Sequence, residues 1–244
     1  MLTACSNAGC LKHQDTPMFK LIQTSAKQIF DYLTPCSLCD IGIRKQYGVC
    51  QSCWNQLPWL KQSIQRNQQQ IFVVCHYQYP IDRIIQQFKY EQKLHHQRLL
   101  EGLLQQLKLP KVHAIVPMPI STDRLVERGF NQTLLLAQAL SKSLNIPIWQ
   151  PVQRLDQHSQ KGLSRIERLE NIEQQFVAAP PNHLRYRKVL IVDDVVTTGS
   201  SITALSQVLQ QLGCQQVYSI CLAAPIRNNA SSLNFADTTE SPLL

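Results

Sequence analysis

No stretch of the 244-residue chain approaches the roughly eighteen consecutive apolar residues of a membrane span. Residues 1–28 lack the basic start and unbroken apolar block of a secretory signal. Together these absences predict a cytoplasmic protein with no membrane span. There is no Gly-Lys-Ser/Thr signature, which excludes a nucleotide-triphosphatase P-loop. No dense basic run occurs either, although the formal net charge is +8. That excess is spread along the chain. It fits an anionic ligand or partner, or plain solubility, and by itself argues only weakly for nucleic-acid binding. One or two domains are expected, with enough apolar residues for a sizeable core.

One stretch organises the rest: Lys188-Val-Leu-Ile-Val-Asp-Asp-Val-Val-Thr-Thr-Gly-Ser-Ser201. Val189 to Val192 reads as a strand buried on both faces of a parallel sheet. Asp193 and Asp194 follow, then Thr197, Thr198, Gly199, Ser200 and Ser201. Ile202, Leu205, Val208, Leu209 and Leu212 then repeat at helical spacing, and Gly213 stands at the C-cap position. A loop that leaves a parallel strand and enters a helix aims its amides at one spot, and the helix dipole favours an anion there. Gly199 allows close backbone approach, and the hydroxyls can donate to phosphate oxygens. Two carboxylates suit the hydroxyls of an attached sugar, directly or through hydrated Mg²⁺. A phosphate and a vicinal diol at this spacing describe a ribose 5-phosphate. The competing reading is a buried strand with an Asp-capped turn and no ligand.

Nine cysteines are present, and four form a pattern: Cys36-x-x-Cys39, ten residues, Cys50-x-x-Cys53. Two such knuckles place four thiolates at tetrahedral distance for structural Zn²⁺, and four thiolates leave no open position for catalysis. A redox motif or unrelated cysteines are the alternatives. Cys75, Cys214 and Cys221 sit in or beside apolar segments and read as small buried hydrophobes. Leu57–Leu60 is expected to close the ribbon, and the Gln-rich stretch to Gln70 reads as a linker.

Further strands are expected at Ile71–Tyr77, Val112–Val116 and Gln216–Leu222, with helices over Ile81–Phe88, Leu99–Leu107 and Leu134–Leu144. Asn131 is a suitable N-cap for the last of these helices. The loop Pro117-Met118-Pro119 follows a strand, and Arg124 and Arg128 come next. Guanidiniums there suit a diphosphate; the alternative is a solvated basic turn. Gln157–Gly162 reads as a polar loop, in which His158 and Lys161 either reach a ligand or are solvated. Ser164–Glu167 reads as a capping box.

Taken in order, Val116–Ser121, Arg128-Gly-Phe-Asn-Gln132, Gly162–Arg168 with Asn171, and Val192–Ser200 resemble the ComF family, as do the four-cysteine ribbon and Phe88-Lys-Tyr90. The resemblance implies an α/β type I phosphoribosyltransferase fold, a parallel sheet flanked by helices, with a small N-terminal four-Cys zinc ribbon. It covers about residues 33–225, with the ribbon over 33–60 and the transferase domain over 70–225; residues 1–32, without a strong periodic signal, are expected to be an extension, poorly ordered or helical, and the Ser/Asn/Asp/Thr-rich residues 226–244 a disordered tail. It further implies binding of Mg²⁺ and 5-phosphoribosyl 1-diphosphate (PRPP), or another ribose 5-phosphate. Asp193 and Asp194 would hold the ribose hydroxyls, Thr197 to Ser201 the 5-phosphate, and Val116 to Ser121 the diphosphate, with Arg124, Arg128 and Arg165 or Arg168 beside it. Asp193, Asp194 and Arg128 are then the candidate catalytic residues. The family links to competence add single-stranded DNA or DNA-uptake proteins as partners, and the alternative of a non-catalytic PRPP-sensing DNA-binding module. The chain departs from the family in reading Gln157-His-Ser where many members carry a Thr. Thr197 stands where several base-salvage enzymes carry an acid, which makes ordinary purine salvage the weaker expectation.

Overall fold

A computed structural model describes residues 34–155, 175–179 and 185–226. The chain divides into two compact units, with the boundary between Asn55 and Gln56.

In the first unit, a bridge between Pro35 and Ile43 closes the loop that carries Cys36 and Cys39. A 3₁₀ turn, Gln46–Gly48, and the short helix α1, Gln51–Asn55, bring up Cys50 and Cys53. Among its described residues, those buried and apolar apart from the cysteines are Val49 and Trp54. So small a core leaves the cysteine cluster as its centre.

The second unit is built on a five-stranded sheet in the order β1-β2-β7-β6-β3. Its strands are β1 (Trp59–Arg66), β2 (Gln69–His76), β3 (Ala114–Pro117), β6 (Lys188–Val195) and β7 (Gln216–Ala224). β2, β7, β6 and β3 run parallel, and β1 pairs antiparallel with β2 at the edge. Strand β1 corrects the expected linker. Its glutamines are tolerated because an edge strand leaves much of its length in solvent, while Leu60 and Ile64 pack toward the core and Ser63 is buried. The two glutamine-rich ends meet at a hairpin turn in which Asn67 and Gln68 both take positive φ.

Val189 to Val192 in β6 are fully buried, as a central parallel strand requires. Strand alternation sends Ile71, Val73, Val189 and Ile191 to one face, where they meet Ile202, Leu205 and Leu209 of helix α6 (Ser200–Gln211). Helices α3 (Gln97–Leu104) and α5 (Gln132–Leu144) pack on each other and on β7 and β3. Helix α2, Ile81–Tyr90, buries Ile81, Ile84, Ile85 and Phe88, a stripe at helical spacing. Gly213 takes φ +98° just past α6, in the left-handed region that a C-terminal glycine relieves.

The basic segment after β3 is a two-turn helix, α4 (Thr122–Arg128), rather than a turn. The short strands β4 (Val152–Arg154) and β5 (Phe176–Ala178) pair as a separate two-stranded sheet. Three residues are too few to show a period, so these two are invisible in the sequence. No helix of the described residues is long and apolar enough to cross a membrane.

Candidate functional site

Strands β3 and β6 are parallel neighbours, in register from Ala114↔Val189 to Pro117↔Val192. Their chains leave the sheet together, and the crevice beyond such strand ends is where α/β sheets bind ligands. A cavity of about 530 Å³ opens there. The loop after β3 borders it through Met118, Pro119 and Ile120, and β6 contributes Asp193 and Asp194. Arg124 and Arg128 of α4, Lys89 of α2 and Arg154 of β4 form the cationic wall.

The loop after β3 is held from both sides. Met118 donates its N–H to the Val192 carbonyl at 2.9 Å. The Met118 carbonyl accepts from Thr133 Oγ1 at 2.8 Å and from Asn131 Nδ2 at 3.3 Å. Asn131 also caps α5 as its residue type predicts, with Oδ1 accepting from the Thr133 and Leu134 amides. One asparagine thus starts the helix and fixes the loop.

The two aspartates sit in different surroundings. Asp194 is 5 % exposed. Its Oδ1 lies 2.8 Å from Lys89 Nζ, and its Oδ2 accepts from Gln132 Nε2 at 3.1 Å. Asp193 Oδ1 accepts the Asp194 N–H at 2.9 Å. Burial, and next the neighbouring Asp194 charge, push the Asp193 carboxyl up to about 7.

Arg128 is buried, donates from Nη2 to Tyr90 Oη at 3.1 Å and lies 4.8 Å from the centre of that ring. Arg154 donates to Gln175 Oε1 at 3.2 Å and packs over Phe176. Burial and the Arg124 guanidinium both lower the affinity of Arg154 for its proton, while Asp193 acts the other way.

The loop Thr197–Ser201 enters α6. Gly199 is the N-cap residue, at φ +86°, and so offers the first turn no side-chain cap. A Cβ on Gly199 would stand 2.8 Å from Arg66 Cβ, so the β1–β2 hairpin lies directly against this loop. Thr198 Oγ1 accepts from the Ser200 amide at 3.3 Å and pairs with Ser200 Oγ at 3.0 Å. Ser201 borders the cavity; Thr197 and Thr198 are exposed, and Ser200 is half-buried.

The sulfurs of Cys36, Cys39, Cys50 and Cys53 lie within 4.8 Å of one another. Four sulfurs placed about 2.3 Å from a central Zn²⁺ are about 3.8 Å apart. Cys39 and Cys50 Sγ stand 3.8 Å apart. Amides of Leu38 and Cys50 point at Cys36 Sγ, and that of Gly42 at Cys39 Sγ, at 3.2–3.4 Å. A Cβ on Gly42 would come within 2.8 Å of Cys50 Sγ, so a glycine is needed for the loops to close round the sulfurs. The donor set fits a metal ion.

A family model described as Phosphoribosyl transferase domain matches residues 132–237. Competence protein F of Haemophilus influenzae is 33% identical over 201 residues, covering 75% of this chain and 86% of that protein. The chain belongs to the ComF family. DNA utilization protein YhgH of Escherichia coli K12 is 30% identical over 204 residues, covering 78% of this chain and 83% of the relative. Competence protein ComFC of Streptococcus pneumoniae is 25% identical over 174 residues, covering 71% and 74%.

Of the residues expected from the sequence, the ComF-family cavity gathers Asp193, Asp194, Met118, Pro119, Arg124, Arg128 and Ser201 along its border. Pro117, Thr197, Thr198, Gly199 and Ser200 are not among the residues that line it. His158, Lys161, Arg165, Arg168 and Asn171 lie outside the described residues. Sequence reasoning missed Lys89, Gln132 and Arg154. Lys89 carried only the weak signal of the Phe88-Lys-Tyr90 motif. Arg154 carried none, because its strand is so short.

Proposed function

We propose that the cavity binds PRPP with Mg²⁺ and transfers the phosphoribosyl group to an acceptor. One observation carries this reading. A single cavity joins two carboxylates at a strand end, three guanidiniums and the opening turn of a 12-residue helix. Asp193 and Asp194 would accept from the ribose hydroxyls. The first turn of α6, with Thr197 to Ser201, would receive the 5-phosphate. The diphosphate would lie against Pro117 to Pro119, facing Arg124 and Arg128.

Mg²⁺ would enter with the ligand and would supply charge neutralisation on the leaving group. As the bond from C1 to the diphosphate oxygen lengthens, positive charge grows on the ring and negative charge on the diphosphate. The guanidinium wall is placed for the second, and the carboxylates hold the ring. The acceptor's lone pair forms the new bond at C1, and the old bond's electron pair leaves with pyrophosphate. In the ribbon, Zn²⁺ would be structural, since four thiolates complete its coordination.

The names of the relatives support a place for this chemistry in DNA uptake or use. They also favour a second reading, a PRPP-sensing module that contacts single-stranded DNA. The four-cysteine unit is poorly suited to such contact. Asp40, Arg44 and Lys45 leave residues 34–55 one positive charge, and four thiolates around a divalent ion carry two negative ones.

Pyrophosphate release from Mg·PRPP across a panel of nitrogen acceptors tests the transfer. Release that disappears in Asp193→Ala/Asp194→Ala is the expected result. Single-stranded DNA binding that falls steeply with salt, without release, would favour the second reading.

A further inference from the structure

Of the last three residues of α2, Lys89 and Tyr90 line the cavity, while Phe88 packs into the core. Phe88 is 1 % exposed and meets the Phe130 ring edge-on at 5.6 Å. Tyr90 receives the Arg128 guanidinium. Lys89, between them, reaches Asp194. The buried stripe Ile81, Ile84, Ile85 and Phe88 fixes the roll of the helix, so the direction of Lys89 is set by packing.

We propose that Lys89 is a positioning residue for the ribose subsite: with Gln132 it fixes the orientation of the Asp194 carboxylate, so that this acceptor faces the ligand. This rests on the phosphoribosyl reading of the cavity. The ion pair is mostly shielded from water, with side-chain exposures of 17% for Lys89 and 7% for Asp194. Gln132 Nε2 takes the second oxygen of Asp194, and its own Oε1 is a buried acceptor with no partner among the described residues. Asp194 is therefore clamped by a cation and an amide together. Among the described residues, Asp193 Oδ2 has no such partner.

The physical consequence follows from charge. A buried carboxylate that loses its counter-ion either takes up a proton or turns away. Asp193, one residue along, already carries a carboxyl driven toward its neutral form. Without Lys89 the Asp194 carboxylate would lose the cation that orients it, and the diol would lose an aligned acceptor. An arginine at the same place would keep the charge.

Calorimetric titration of Mg·PRPP and of ribose 5-phosphate into the full chain tests this, with thermal melting as the folding control. Lys89→Gln is expected to weaken both ligands by about tenfold or more, and Lys89→Arg to restore affinity to within about threefold. In the Asp194→Asn background, Lys89→Gln should cost less than about twofold further, since its effect runs through the carboxylate. Affinity unchanged in a folded Lys89→Gln protein would overturn the proposal. So would losses that multiply in the double variant, which would make Lys89 a direct ligand contact. If the wild-type chain binds neither ligand, the phosphoribosyl reading fails first.

Discussion

Asp193 and Asp194 are chemically identical and adjacent, yet their surroundings give them different properties. Asp194 has a lysine and an amide. Asp193 has a backbone N–H, a like charge beside it and a carboxyl raised from 3.8 to about 7. The raised value has a sign. The folded chain keeps a proton on Asp193 at pH values where the unfolded chain has released it. The associated stability is full below pH 3.8 and is lost as pH rises through about 7. Asp193→Asn should therefore raise the melting temperature at pH 8 and change it little at pH 4. Equal destabilisation at both values would show that the group is not strained by burial. At neutral pH the Asp193 carboxylate therefore sits at a cost to the fold. The sequence displayed the two acids but not their inequality, because Lys89 and Gln132 come to Asp194 from distant parts of the chain and only packing joins them.

Among the elements, the entry into α6 is the most exacting. Gly199 combines a left-handed backbone with a hairpin pressed against it, so an added methyl group meets both restraints. Gly199→Ala is expected to lower stability by about 1–3 kcal/mol in urea titrations, and to weaken phosphate-bearing ligands more than the melting change alone would suggest. Retained stability and affinity would mean that the loop adjusts freely. Strands β2, β3, β6 and β7 and helices α2, α3, α5 and α6 were legible because each writes a clear period or a continuous apolar run. Asn131 was legible as a cap. Strand β1 was not: its partner supplies the hydrogen bonds and most of the burial, and a glutamine-rich edge looks like a linker. Strands β4 and β5 escaped for their length, and with them Arg154, the guanidinium that completes the cationic wall.

At the scale of the whole molecule, two units draw their stability from different sources. Of the second unit, residues 56–155, 175–179 and 185–226 bury continuous apolar layers around a parallel sheet. Residues 34–55 bury little beyond Val49, Trp54 and the cysteines, so metal would supply their folding free energy. Purified protein should carry one zinc per chain by elemental analysis. Zinc removal should alter the environment of Trp54, read by fluorescence of a chain in which the other tryptophans are replaced. A chain that keeps its Trp54 signal after complete zinc removal would show that the cysteines pack without an ion.

The ligand of the cavity is the point on which the functional reading turns. Calorimetric titration of Mg·PRPP into the full-length chain, beside the Asp193→Ala/Asp194→Ala variant, tests it most directly. Saturable binding at one site per chain, with a Kd in the range of about 1 μM to 1 mM and lost in the variant, is the expected result. No heat of binding to a folded wild-type chain at millimolar ligand, or equal binding by the variant, would contradict it.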